Sequence, residues 1–133
     1  MPNSTGIITT EFGVRNQILA NVEHQYSVGC VVDASLGVAP SGTNGNQKIA
    51  RAGTPISMNL MSTNTPAVLA DDDTNAMTGV LLHDVDVTNG NNNGTCLIFG
   101  FVNLNRIDSD IEGQIVAAMS NDNATKRVTF LKV

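Results

Sequence analysis

At 133 residues the chain has the length of one domain, enough for a single core that buries roughly two thirds of the unfolded surface. Only 14% of its residues are charged, the net charge is -5, and its seven Lys and Arg are scattered; this argues against direct nucleic-acid binding, which needs clustered basic residues. No apolar run approaches the ~20 residues of a membrane-spanning helix, and the opening Met1-Pro2-Asn3-Ser4-Thr5 lacks the basic start and apolar centre of a signal peptide, so a soluble, cytoplasmically made protein with no membrane partner is expected.

With no Trp, one Tyr and four Phe, the core must be built from Val, Ile, Leu, Ala and Met. Residues 1–25 read as a leading arm, flexible or partner-engaging, before a domain over 26–133. Within the arm, Ile7, Ile8 and Phe12 punctuate Thr9, Thr10 and Glu11 in a strand-prone stretch suited to adding a strand to another protein's sheet edge. Tyr26-Ser27-Val28-Gly29-Cys30-Val31-Val32 is the first clear strand, and residues 40–46 mark a turn or exposed loop tip. Gln47-Lys48-Ile49-Ala50-Arg51 alternates polar and apolar residues before a Gly53-Thr54-Pro55 corner. Pro55 cannot donate to a ladder, so it belongs at a strand start or an edge.

Residues 66–70, 78–88 and 97–102 are β-branched apolar runs separated by turn residues, the pattern of short strands. The last is apolar at successive positions, which predicts burial on both faces of a sheet. Asn89-Gly90-Asn91-Asn92-Asn93-Gly94 reads as a hairpin loop, since both Asn-Gly pairs suit positive φ. Asp71-Asp72-Asp73 reads as a solvated turn. Ser109-Asp110-Ile111-Glu112 matches the capping box and predicts a helix from about Asp110 to Met119, with Ile111, Ile115, Ala118 and Met119 on one face. Ser120-Asn121-Asp122-Asn123 then turns the chain into a final strand over 127–133. No repeat of fixed period is present.

Residues capable of chemistry do not gather into a motif. Strand alternation over 78–88 places Asp84 and Asp86 on one face and His83 on the other, so a His-Asp dyad or shared metal is geometrically poor there. His83 is better suited to a subunit interface, and His24 in the arm has no patterned partner. Asp108-Ser109-Asp110-Ile111-Glu112-Gly113 begins like a calcium loop, but its twelfth position is Met119, which cannot supply the closing carboxylate. There is no Gly-x-Ser-x-Gly elbow, phosphate loop or His-Glu-x-x-His. Cys30 and Cys96 each sit inside an apolar strand and are expected to be buried thiols. Neither catalytic residues nor a metal or other cofactor are expected. The acceptor patterns at Asn3, Asn93 and Asn123 have no expected consequence without a signal peptide.

Three segments carry a resemblance: Ala52-Gly53-Thr54-Pro55, the run from Thr78-Gly79-Val80-Leu81-Leu82 through His83-Asp84-Val85-Asp86-Val87-Thr88, and Ile98-Phe99-Gly100-Phe101-Val102-Asn103 followed by Arg106-Ile107-Asp108. In order and spacing they resemble the head decoration proteins of tailed phages, the lambda-type head decoration and head fibre proteins, over about residues 26–133. The resemblance implies a mainly β, compact, small barrel-like or β-tulip domain with one short C-terminal helix, beside the extended N-terminal arm. It also implies a homotrimer on the outer surface of the capsid in the virion, bound to the major capsid protein and stabilising the head. The arm, with Ile7, Ile8 and Phe12, is the candidate capsid-binding element. The alternative reading is a virion or surface β module whose Asn-rich loops bind a carbohydrate or protein ligand.

Overall fold

The computed structural model describes residues 18–21, 23, 25–39, 47–62 and 64–133. Its strands are β1 (Tyr26–Val32), β2 (Ile49–Ala50), β3 (Pro55–Ser57), β4 (Val68–Leu69), β5 (Gly79–Leu81), β6 (Val85–Asp86), β7 (Asn92–Asn103) and β8 (Val128–Leu131), with one α-helix, α1 (Ser109–Met119), before β8. The fold is therefore mainly β with one C-terminal helix. Among the described residues the strands form an open sheet in the order β8-β7-β5-β3-β4, with β1 also on β7, and a separate β2-β6 pair.

The long strand β7 organises the sheet. Cys96 lies opposite Leu81 of β5 and Val28 of β1, both antiparallel. Further along, β8 runs parallel to β7, with Phe130 opposite Val102. A parallel neighbour needs a crossover, and residues 104–127, including α1, supply it. On the other edge Leu19 bridges Val102, Asn103 N–H donates to Ile18 O at 2.8 Å, and Ala20 N–H donates to Phe101 O at 2.8 Å. Ile18 and Leu19 are buried in the core, upstream of residue 26 where the sequence reading began the domain.

Alternation along β5 and β7 divides the core in two. Val80 and Leu97 face α1 and pack with Ile18, Val102, Ile111, Ile115 and Val128. Leu81 and Cys96 face the opposite side with Cys30, Val32, Ile56, Val85 and Val87. The apolar run over 97–102 thus has cover on both faces from this chain's own residues, though Phe99 stays 45% exposed. Between Tyr26 and Ser27 the β1–β7 register slips, a bulge that turns the end of β7 toward its next partners.

The predicted corner forms at Ala52 and Gly53. Gly53 has φ of 93°, and its N–H donates to Leu81 O at 2.7 Å, while Leu81 N–H donates to Thr54 O at 2.9 Å. Pro55 opens β3, where its missing donor costs nothing. At Gly79 the constraint is close approach, because an added Cβ would strike the carbonyl oxygen of Leu97 and the sulfur of Cys96.

Two expected elements differ in the structure. The run 78–88 is two strands: β5 ends at Leu81, and β6 joins β2 with Ala50 opposite Val85. The break is fixed by Asp84, whose carboxylate accepts the Ala52 N–H at 2.7 Å and holds the chain against the corner. The Asn-rich segment turns at Gly90, whose φ is 123°, but it is not a hairpin loop, since β6 and β7 pair with other strands. Helix α1 starts at Ser109 with Asp108 as its N-cap. The Asp108 side chain makes no capping bond and turns instead to Arg51.

Candidate functional site

The acid-base candidates are dispersed by the fold. His83 lies half-buried in the break between β5 and β6. Asp84 is committed to the Ala52 N–H. Asp86 accepts the Thr88 N–H at 2.9 Å, and the Thr88 side chain and N–H hold its carboxyl below the usual range. Both carboxylates are thus structural ties, Asp84 to the corner at Ala52 and Asp86 to its own turn.

The calcium-like stretch is already occupied by cations of the protein itself. The Arg51 guanidinium bridges Asp108 at 3.0 Å and Asp110 at 2.6 Å. Its hydrogen bond lowers the Asp110 pKa. Lys132 Nζ pairs with Glu112 at 2.9 Å. Beside this cluster, Val38, Ala39, Ile49, Arg51 and Asp84 line a cleft of about 480 Å³. Among the described residues, His, Cys, Asp and Glu do not gather in threes that could hold a metal ion.

Cys30 and Cys96 are free thiols on the face of the sheet away from α1. Burial pushes the Cys30 thiol up. Burial, with Cys30 close by, pushes Cys96 up to about 12. The thiolate is the nucleophile, so at neutral pH both behave as packing residues.

What the domain does present is three grooves and an exposed aromatic pair. Along β1 runs a groove of about 410 Å³ lined by Val28, Gly29, Cys30, Val31, Asn64 and Asn93. Tyr26 and Phe99 stand opposite each other on β1 and β7, 61% and 45% exposed. A second groove of about 440 Å³ runs between α1 and β8, lined by Leu104, Ile115, Val116, Met119, Val128 and Phe130. A third, polar cleft of about 330 Å³ is formed by Asp86, Asn89, Gly90, Asn91 and Asn92. The third cleft lies in the Asn-rich segment that the sequence singles out, whereas the first two join residues distant in the chain and are not visible in it. The arm candidates Ile7, Ile8 and Phe12, and also His24, lie outside the described residues.

No family model matches the chain, and no curated protein matches it in sequence.

Proposed function

We propose that this chain is a structural virion protein that binds the outer surface of the mature phage capsid as a homotrimer and braces the head against the pressure of packaged DNA. The reading rests on the three segments that resemble head decoration proteins. The observation that carries it is their position: they form the Gly53 corner, β5 and the later half of its neighbour β7 in one sheet, and β6, which is tied to the corner through Asp84 and Ala52. They therefore make up one contiguous structural unit, as a shared fold requires, and the β-tulip arrangement of such proteins is part of the proposal.

A binding role also suits the surface. Trimers that bridge neighbouring capsomers add interface where a pressurised shell is weakest. Tyr26 and Phe99 are an exposed aromatic pair of the kind enriched at interfaces, and the arm with Ile7, Ile8 and Phe12 offers a strand to the major capsid protein. His83 is assigned to the subunit contact. His83→Ala is expected to change stability or association by roughly 1–3 kcal/mol, read from chemical unfolding and light scattering, and to abolish no turnover. A reproducible turnover lost in that variant, with fold and oligomeric state intact, would refute the non-enzymatic reading.

The decisive experiment mixes the purified protein with DNA-filled mature capsids and with immature shells, then pellets both. Co-sedimentation with the expanded lattice is expected, in multiples of three per local three-fold position. No binding to either shell would remove the capsid reading. It would leave the alternative, a virion or surface module for a carbohydrate or protein ligand, to which the Asn-lined polar cleft beside β6 lends a place.

A further inference from the structure

The nineteen residues from Ala52 to Ala70 include no Asp, Glu, Lys, Arg or His. Between β3 and β4 this segment carries Leu60 and Met61 into solvent, 38% and 94% exposed, and Leu69 of β4 is a further 37% exposed. Charged residues are depleted at interface cores, and Met is enriched there. The tip is also held by its own turn. Asn59 Oδ1 accepts the Met61 N–H at 2.9 Å, and Asn59 O accepts the Ser62 N–H at 3.0 Å. A tip already fixed in this way has little conformational freedom to lose on association.

A matching concave surface lies on the same chain. The α1–β8 groove is apolar, with Ile115, Met119 and Phe130 beside Val116, which is itself 67% exposed. Its lining charge is the cation Lys126, which opposes nothing in an uncharged tip and suits an approaching chain of net charge -5. The sheet order β8-β7-β5-β3-β4 sets the groove and the tip at opposite ends. Unlike patches at opposite ends suit a head-to-tail contact, in which each copy gives its tip to one neighbour and its groove to the other. Such a contact closes into a ring where the rotation allows and otherwise runs on as a filament.

We propose that the tip at Leu60 and Met61 of one copy seats in the α1–β8 groove of the next, and that three such contacts close the homotrimer. The inference rests on the trimeric reading and names the two surfaces that build it. Both apolar patches left exposed by the single chain are then covered by the same contact.

Met61→Asp charges the tip, and Val116→Arg fills the groove. Both positions are exposed, so each variant is expected to keep the parent's circular dichroism and unfolding transition. Light scattering over graded concentrations should show a trimer for the parent and a monomer for either variant. Mixing the two variants should give a 1:1 dimer and nothing larger, because Met61→Asp keeps its groove and Val116→Arg keeps its tip, which leaves one sound contact per pair. In the double variant Met61→Cys with Val116→Cys, a short bismaleimide should link copies into covalent trimers, since Cys30 and Cys96 are buried. A trimer that survives both single substitutions would overturn the proposal and leave the capsid reading with a different subunit contact. So would a parent that stays monomeric at every concentration, or a mixture of the two variants that stays monomeric. Because no capsid is present, these outcomes are read separately from co-sedimentation.

Discussion

Asn121 shows how much one polar side chain can hold. It is buried just past α1, and its amide donates to Asp71 O at 3.3 Å and Asp73 O at 3.0 Å while its Oδ1 accepts the Asn123 N–H at 2.9 Å. It ties the end of the helix to a loop some fifty positions earlier. In sequence it was one of several turn-forming residues in Ser120-Asn121-Asp122-Asn123, and local patterning gives no sign of which one is buried. Asn121→Ala leaves two carbonyls and an N–H short of a partner and is expected to cost about 1–3 kcal/mol in urea unfolding; a change within error would mean the loop is held elsewhere. Arg51 is the electrostatic counterpart. Its hydrogen bond depresses the folded pKa of Asp110 below the ordinary 3.8, so the stabilisation is complete above that ordinary value and is lost as pH falls through the lower folded one. Arg51→Met should therefore flatten the loss of melting temperature on strong acidification, leaving the part contributed by Asp33, Asp71 and Asp86, which are likewise lowered. An acid profile identical to that of the unsubstituted protein would refute this role.

At the scale of elements, what could be read from the chain was what is encoded locally. Gly53 and Pro55 announce their corner because only certain residues tolerate those backbone positions, and Ile111, Ile115 and Ala118 announce a helix face by their spacing. Pairing was not legible. The run 78–88 has an unbroken strand composition, and its division at Leu82 depends on Asp84 meeting the backbone of Ala52, thirty-two positions away. The Asn89–Gly94 segment has hairpin chemistry, yet β6 goes to β2 and β7 to β1 and β5. Gly79 could be seen as a glycine in a strand, a sign of close approach, and the structure supplies the reason in the Leu97 carbonyl. Since that neighbour is backbone in the central strand, Gly79→Ala must push β5 from β7. It is expected to destabilise by more than the 1–3 kcal/mol of ordinary overpacking, or to give insoluble protein. Gly29, at which an added Cβ meets nothing within 4 Å, is the control, and Gly29→Ala should stay near the stability of the parent. Equal stability of the two variants would contradict the close-approach account.

At the scale of the whole molecule, the boundary between arm and domain decides how the proposed function can be tested. Composition placed it near residue 26 because the stretch through Asn16, Gln17, Asn21 and Glu23 lacks a strand pattern. Yet Ile18 and Leu19 are core residues, and Leu19 extends the β1 edge of β7. The short run Ile18-Leu19-Ala20 amid polar residues is too brief a signal to read as structure. A truncation to residue 26 would therefore strip core side chains, at about 2–5 kcal/mol for each large one lost, and confuse unfolding with lost binding. Deletion of residues 1–17 avoids this, since Ile18, Leu19 and the described core residues packed with them stay in the chain. Under the capsid proposal, the protein lacking residues 1–17 keeps a cooperative unfolding transition, forms the same trimers, and pellets with mature capsids less tightly than the intact chain. The protein lacking residues 1–25 loses stability first. If the shorter deletion decorates capsids as tightly as the full chain, the arm carries no attachment energy, and the contact must be sought on the folded domain, where Tyr26 and Phe99 are the exposed aromatic pair.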